Sequence, residues 1–189
     1  KKDEANMMKY INAGMALYPN DDYMPLLELD QIREKGDTKA LFAKYDEILA
    51  KNPDNFNVVI DYATELFAET HVTDASKRPA DYEQRCLKIE ALYKKAIELK
   101  PDSYEAKLSL GKHYYNQMLI MDEDVAKIKG TKPEDVKKKA DMNAQIAILA
   151  DKAIVPLEEV FTHFDTMGAL KVGDRSNFKS ACSLLSYCF

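Results

Sequence analysis

Histidine, cysteine and carboxylate side chains could hold a metal ion or perform acid–base chemistry, but their spacing in this chain favours neither role. The histidines His71, His113 and His163 stand 42 and 50 residues apart, and only weak acidic neighbours lie one helical turn from them. We therefore interpret them as helix-surface or capping residues and not as metal ligands. The run Asp122-Glu123-Asp124 lacks the glycine and terminal glutamate of a calcium loop, so we interpret it as a solvated acidic helix end.

The cysteines and the short motifs point the same way. Cys86, Cys182 and Cys188 are too few and too unevenly placed for a disulfide framework, and no Cys-x-x-Cys pair suggests zinc. We expect all three to be buried thiols. The glycine-rich phosphate loops, the Gly-x-Ser-x-Gly nucleophile motif and the His-Glu-x-x-His zinc motif are absent from the sequence. The sequence predicts a protein that is not an enzyme, with no catalytic residue, no metal site and no cofactor.

The composition is that of a globular protein in which acidic residues outnumber basic ones. Of its 189 residues 46% are hydrophobic and 31% are charged, and the formal net charge is -5. This balance gives no reason to expect nucleic-acid binding, which needs clustered positive charge. No run approaches the ~18 apolar residues of a membrane span. The chain begins without Met, so we expect a trimmed N-terminus, and the compartment stays open between the cytoplasm and the cell envelope.

A proline followed by Asp or Asn recurs along the chain. Three segments end alike, at Pro19, Pro53 and Pro101. The first two prolines are 34 residues apart and the next two are 48 apart, which is the same period with fourteen residues inserted. A residue before proline is pushed out of the helical conformation, and the Asp or Asn after it can cap a following helix. Each junction therefore predicts the end of one helix and the start of another.

Between these junctions the apolar residues recur at helical spacing, and no stretch alternates with period two. Leu41, Tyr45, Ile48 and Leu49 illustrate the spacing in one segment. Six glycines and seven prolines are also too few for the many turns of a sandwich or barrel. The predicted helices are residues 3–18, 22–35, 38–51, 55–70, 80–100, 103–122, 133–164 and 175–188.

The segment Lys107-x2-Leu110-Gly111-x2-Tyr114 resembles the tetratricopeptide repeat in every position except the first aromatic. After Pro53 the equivalent residues are Val59-x2-Tyr62-Ala63-x2-Leu66. Small residues such as Ala63 and Gly111 allow paired helices to approach closely. The resemblance implies an all-α fold, a right-handed α-α superhelix built as a solenoid of antiparallel helix pairs. It also places three tyrosines in the core: Tyr62, Tyr93 and Tyr114.

The resemblance extends over most of the chain and predicts one solenoid over residues 1–189, with about three complete repeats. Insertions interrupt the period at 70–83 and 118–147. Because Thr131-Lys-Pro-Glu134 has the form of a capping box, we expect the second insertion to lengthen both helices of its pair. Pro156 then kinks or breaks the second of them. The predicted parts are a partial repeat at 1–21, complete repeats at 22–55, 56–103 and 104–165, and a partial repeat at 166–189.

In this family the first helix of each pair lines a concave groove, so the resemblance implies a protein or peptide partner there. Tyr, Phe and Asn mixed with single charges suit such a surface. An alternative is that Tyr115 and Phe67 only pack against a neighbouring repeat. Lys112 is the one candidate cation on the inner faces of the two better-defined repeats, so we predict no clamp for a terminal carboxylate. The groove candidates are Asn57, Ile60, Asp61, Thr64 and Phe67 in one repeat and Glu105, Leu108, Ser109, Lys112, Tyr115 and Asn116 in the next, with Tyr23, Leu26, Asp30 and Arg33 as further candidates in an earlier one.

The sequence thus favours a non-enzymatic interaction scaffold that binds a peptide or a folded partner in its groove. A second hypothesis stays open, in which the chain is a structural section of a longer solenoid or of an envelope assembly. Terminal helices with apolar surfaces would then mediate self-association into a homo-oligomer. The basic run Lys137-Lys138-Lys139 is interpreted as a solvated helix face in either case.

Overall fold

A computed structural model describes residues 3–19, 21 and 23–189 of the chain. The described residues form α-helices joined by short connections and contain no strand, which confirms the all-α prediction. Within this described part no helix is both long and apolar enough to cross a bilayer. The helices are α1 (Glu4–Leu17), α2 (Met24–Glu34), α3 (Thr38–Lys51), α4 (Phe56–Thr70), α5 (Tyr82–Leu99), α6 (Tyr104–Lys127), α7 (Pro133–Asp165) and α8 (Val172–Cys188), with one 3-10 turn at Ala75–Lys77.

The chain divides into two compact units, Lys1–Pro101 and Asp102–Phe189. In the N-terminal unit, which holds α1 to α5, each helix packs against the next one along the chain, and α2 also contacts α4. In the C-terminal unit α7 packs against both α6 and α8, and α6 also contacts α8. Within each unit, therefore, each helix packs on its neighbours along the chain, and one pair of alternate helices also touches.

Short polar side chains start several of these helices. Asp37 accepts a hydrogen bond from the backbone of Ala40 at 2.9 Å, and Asn55 accepts one from Val58 at 3.1 Å. Such caps satisfy backbone N–H groups that have no partner inside the helix, each worth about 1 kcal/mol. Gly36 has φ +72° just after α2, a left-handed conformation that glycine adopts without a Cβ clash.

The helix caps expected from the sequence at the starts of α6 and α7 are wrong in detail. Ser103, and not Asp102, caps α6, because its hydroxyl accepts from the backbone of Ala106 at 3.3 Å. At the start of α7 the cap position belongs to Lys132, whose side chain makes no capping bond. Pro133 follows in the first turn, where its missing N–H costs nothing because that donor would have no helical acceptor.

Stacked tyrosines form the centre of the N-terminal unit. The rings of Tyr45 and Tyr62 lie 4.5 Å apart and almost parallel, and both side chains are buried. Tyr93 is also buried, as the sequence predicted. An aromatic pair of this kind contributes about 0.5–1.5 kcal/mol beyond its buried area. This packing joins α3 to α4.

The C-terminal unit depends on a close approach between α6 and α7. A Cβ added to Gly111 would lie 2.5 Å from both Cγ and Cδ2 of Leu157, so only glycine leaves room for that leucine. Leu157 is fully buried, and Tyr114 on the same face of α6 is 2% exposed. The helical cost of a glycine, about 1 kcal/mol, is thus offset by tighter packing.

The two expected insertions have different structures. Residues 71–81 form a connection with a single 3-10 turn, capped by Asp74, whose carboxylate accepts from the backbone of Ser76 at 3.0 Å. The second segment is almost entirely helical, because α6 continues to Lys127 and α7 begins at Pro133. Pro156 does not break α7, which runs through it for 33 residues with the proline buried.

Replacing Gly111 with alanine should destabilise the protein. The gain in helix propensity is about 1 kcal/mol, but overpacking against the buried Leu157 costs about 1–3 kcal/mol. We expect Gly111→Ala to lower the free energy of unfolding by about 1 kcal/mol, measured by urea denaturation. Gly173→Ala in α8 is the matched control, since nothing lies within 4 Å of the added Cβ there. A Gly111→Ala protein as stable as the control would contradict the close approach.

Candidate functional site

The candidate residues on α4 lie along one face of the N-terminal unit. Thr64 is exposed and donates a hydrogen bond to the carbonyl of Ile60 at 2.8 Å, while Ile60 is half-buried. Phe67 is half-buried and packs on His71, with ring centres 4.7 Å apart. This face therefore offers a mixed apolar and polar surface. The other candidates from this repeat, Asn57 and Asp61, are also half-buried.

A charged cluster on this face ties three helices together. Arg33 of α2 pairs through Nε with Glu65 Oε1 at 2.5 Å and through Nη2 with Asp61 Oδ2 at 2.9 Å, both on α4. The same Nη2 donates to the hydroxyl of Tyr45 on α3 at 2.9 Å, and that hydroxyl donates to Asp61 Oδ2 at 2.5 Å. Asp30 also pairs with Arg33. We call these five residues the Arg33 cluster.

The ionisation of the cluster follows from its geometry. Burial raises the pKa of the Tyr45 phenol well above its usual range, and the hydrogen bond and charge of Asp61 raise it further. For Arg33 burial acts to lower the pKa, but interactions with Tyr45, Asp61 and Glu65 outweigh it and leave the pKa raised. The guanidinium therefore stays charged and the phenol stays neutral, so the cluster acts as a fixed donor–acceptor network.

The cluster changes what the N-terminal face can bind. Asp61 was a candidate for partner contact, but its carboxylate already accepts hydrogen bonds from Arg33 and Tyr45. A ligand that used Asp61 would have to compete with these bonds. Its role in this structure is to position α4 against α2 and α3.

The candidates on α6 divide into buried and accessible positions. Leu108 is 3% exposed, so it belongs to the interior and presents no surface to a partner. Ser109, Lys112 and Asn116 are half-buried, and Asn116 donates to the carbonyl of Lys112 at 2.9 Å. Glu105, near the start of the helix, is exposed.

Tyr115 contacts α8, and only part of its side chain is exposed to solvent. Its ring lies 5.2 Å from the ring of Tyr187, and Tyr115 is half-buried. Burial raises the pKa of Tyr115, and its contact with Tyr187 adds to the effect. Part of the Tyr115 side chain is therefore covered by α8.

A cleft opens between α6 and α8 in the C-terminal unit. Its volume is about 330 Å³. It combines amine and hydroxyl groups with one buried apolar side chain, that of Leu184, and carries no acidic side chain in its lining. We call it the α6–α8 cleft, and its lining consists of Lys112, Ser176, Lys179, Ser180, Ser183 and Leu184.

Two other clefts are lined by groups that already pair with one another. One, of about 330 Å³, lies among α1, α2 and α3, and its Lys44 bonds to Glu28 at 2.8 Å and to Glu47 at 3.0 Å. The other, of about 520 Å³, lies between the start of α6 and the end of α7. There Lys107 pairs with Glu159 at 2.6 Å. Each of these two linings carries one more carboxylate than amine, whereas the α6–α8 cleft carries two amines and no carboxylate.

Some of the histidines and cysteines occupy the positions expected of them, and others do not. His113 is fully buried, not a surface residue, and its Nε2 lies 2.9 Å from Gln117 Nε2. His71 does sit at a helix end, where it follows α4. Cys86 is buried, and burial raises the pKa of its thiol to about 11, so the thiolate form is suppressed. The other two thiols, Cys182 and Cys188, are only half-buried.

Two features of these surfaces were not found from the sequence. The contribution of α8 was missed because no motif marks Ser176, Lys179 and Ser180 as lining residues. Their spacing of three and four along one helix is the signal that could have placed them on one face. Arg33 was recognised as a face residue, but its two acidic partners on α4 lie 28 and 32 positions away. Only tertiary packing brings these groups together.

Comparisons of the chain with protein-family models, with curated proteins and with solved structures give no significant match. The functional argument therefore rests on the residues and geometry of the chain itself.

Removing the hydroxyl of Tyr45 tests the Arg33 cluster. We expect Tyr45→Phe to lower the free energy of unfolding at neutral pH by about 1–2 kcal/mol, because two partly buried hydrogen bonds to charged groups are lost. The exposed Tyr10→Phe serves as a control, with no expected change.

The stability difference between the wild type and Tyr45→Phe should depend on pH. A phenol whose pKa is raised on folding stabilises the protein fully below its unfolded pKa of about 10, and this stabilisation is lost as the pH rises toward the folded pKa. The difference between wild type and Tyr45→Phe should therefore shrink above about pH 10. Urea denaturation at several pH values measures it, and a difference that stays constant into the alkaline range would contradict the geometry.

Proposed function

We propose that this protein is a non-enzymatic interaction module of the tetratricopeptide-repeat type, which binds a peptide segment along the inner faces of its helix pairs. The proposal assigns no catalytic residue and no cofactor. Its partner is a protein or peptide, held by the first helix of each pair.

The packing within each unit supports this proposal. In the repeat pattern a small residue on the first helix faces the second helix of its pair, and Gly111 of α6 faces Leu157 of α7 in this way. The equivalent Ala63 of α4 is fully buried. Contacts between α2 and α4, and between α6 and α8, are those expected when first helices of successive pairs lie side by side.

The observation that carries the proposal is the α6–α8 cleft. It lies between two helices that the repeat pattern assigns as first helices of successive pairs, the position in which such arrays hold their ligands. Its lining offers donors and an apolar contact, the combination that peptide-binding surfaces use. Half-buried Tyr115 and Asn116 lie on the same helix, α6, and extend this surface beyond the cleft.

Bulky substitutions on the inner faces should abolish peptide binding. Peptides are first selected from a random display library with the wild-type chain, and their dissociation constants are measured by fluorescence anisotropy. We expect Ser109→Trp in the C-terminal unit, or Thr64→Trp in the N-terminal unit, to weaken binding by about ten-fold or more, equivalent to ~1.4 kcal/mol. The matched controls are Ala43→Trp and Ala91→Trp on the exposed surfaces of α3 and α5.

The binding measurements distinguish the inner faces of the helix pairs from the exposed surfaces of α3 and α5. Loss of binding in the inner-face variants alone, with unchanged thermal unfolding, supports the proposal. Equal affinities in wild type and in both inner-face variants, or loss only in the controls, would overturn it.

A second candidate function, self-association through the terminal helices, is favoured by a separate observation. On α1, Tyr10 and Leu17 are 70% and 74% exposed, and on α8, Val172 and Tyr187 are 85% and 63% exposed. Large apolar side chains left open at both ends are typical of surfaces that pack against another chain or segment.

Light scattering distinguishes the two candidates. If the protein only binds peptides, light scattering should give the mass of a monomer at all protein concentrations. A dimer that resists dilution, and that Leu17→Lys or Val172→Lys converts to a monomer, would support self-association in its place.

A further inference from the structure

We infer that the α6–α8 cleft binds acidic side chains, so that the peptide recognised by this protein carries consecutive Asp or Glu residues. The inference rests on the proposed function and specifies the chemistry of its ligand. It is drawn from the charge, the hydrogen-bonding groups and the size of the cleft.

The positive charge of the cleft has no ion-pair partner in the part of the chain that the structure describes. Lys112 of α6 and Lys179 of α8 both line it, and neither ammonium has an ion-pair partner among the described residues. Several other lysines of the helices do pair with carboxylates, as Lys44 and Lys107 show by contacting glutamates at 2.8 and 2.6 Å. Two unpaired ammonium groups facing one concavity attract a negative charge more strongly than either does alone.

Hydroxyl groups complete the recognition of an anion. Ser176, Ser180 and Ser183 stand four and three residues apart and so share one face of α8. The hydroxyls of Ser176 and Ser180 have no hydrogen-bond partner in the part of the chain that the structure describes. Each hydroxyl can donate to a carboxylate oxygen, and such charge-assisted bonds are roughly twice as strong as neutral ones. Leu184 supplies an apolar contact for the methylene groups of a glutamate.

On α6 and α8 the acidic residues closest in sequence to the lining of the cleft are Glu105 and Asp174. Glu105 precedes Lys112 by seven positions on α6, about 10 Å along the helix axis. Asp174 on α8 is adjacent to Arg175, and that arginine donates to the carbonyl of Leu170 at 3.4 Å. Neither acid contributes to the lining of the cleft.

The size and chemistry of the cleft favour a carboxylate peptide over other anions. A volume of about 330 Å³ accommodates a few side chains and not an extended lipid surface. Membrane recognition generally needs four or more clustered basic residues, against two here. No arginine lines the cleft, so it lacks the planar fork that favours phosphate through paired hydrogen bonds.

The inference is tested with defined peptides and the full chain. The probe is a fluorescein-labelled decapeptide with a blocked C-terminus and three consecutive glutamates among glycines and serines, and its partner has glutamines in their place. Fluorescence anisotropy gives both dissociation constants at low salt and at about 0.15 M salt. We expect the glutamate peptide to bind at least about ten-fold more tightly than the glutamine peptide, with a smaller preference at the higher salt concentration.

Paired substitutions locate the binding. Lys112→Gln with Lys179→Gln should weaken binding of the glutamate peptide about ten-fold and leave the glutamine peptide unchanged. The control is Lys137→Gln with Lys138→Gln, which removes the same charge from exposed positions on α7. Lys112→Glu with Lys179→Glu should instead bind a peptide with three lysines. Circular dichroism confirms that the variants remain folded.

Each other outcome overturns the inference. An equal loss in the control pair would show attraction by net charge and not by the cleft. A phosphoserine peptide that binds more than about ten-fold tighter, or anionic vesicles whose binding needs Lys112 and Lys179, would assign the cleft to a different ligand. If library-selected peptides bind the inner faces without any dependence on these lysines, the inference fails while the proposed function stands. If no peptide binds at all, both fail.

Discussion

The structure depends on the need of each helix pair to cover an apolar face that it cannot bury alone. In the C-terminal unit this need is met by the close approach of α6 to α7, where Gly111 leaves the space that Leu157 fills. In the N-terminal unit it is met by Tyr45 and Tyr62, whose stacked rings join α3 to α4. Because these contacts fix the spacing and rotation of the helices, they also decide which polar side chains meet on the opposite faces.

Those polar faces differ between the two units. In the N-terminal unit the Arg33 cluster pairs its cation with Asp61 and Glu65, so its charged groups mainly hold α2, α3 and α4 in position. In the C-terminal unit Lys112 and Lys179 line a cleft with no acidic partner among the described residues. An unpaired charge in a concave site costs little while it remains hydrated, and it gains most when a ligand of opposite sign replaces the water. We therefore propose a binding role for the second face and a positioning role for the first.

Much of the secondary structure could be predicted because its causes are local. Proline at the Pro53 and Pro101 junctions, apolar spacing near 3.6 residues and few glycines are sufficient to locate the helices to within a few residues. The errors arise where local signals compete. At the start of α7, Pro133 lies in the first turn of the helix. Lys132 therefore occupies the cap position that the sequence assigned to Thr131. The sequence pattern could not reveal whether Pro156 would break α7, because neighbouring packing decides whether a lost backbone hydrogen bond is tolerated.

The amino-acid sequence by itself determined that this protein is all-helical, where its helices lie, and which tyrosines enter the core, since hydrophobic periodicity and turn chemistry act over a few residues. Tertiary structure alone decided that Leu108 and His113 are buried, that Asp61 is held by Arg33 and that Lys112 faces the serines of α8. Lys112 on α6 and Lys179 on α8 stand 67 positions apart in the sequence. Their meeting depends on how two helices pack and cross, which no pattern within either helix encodes.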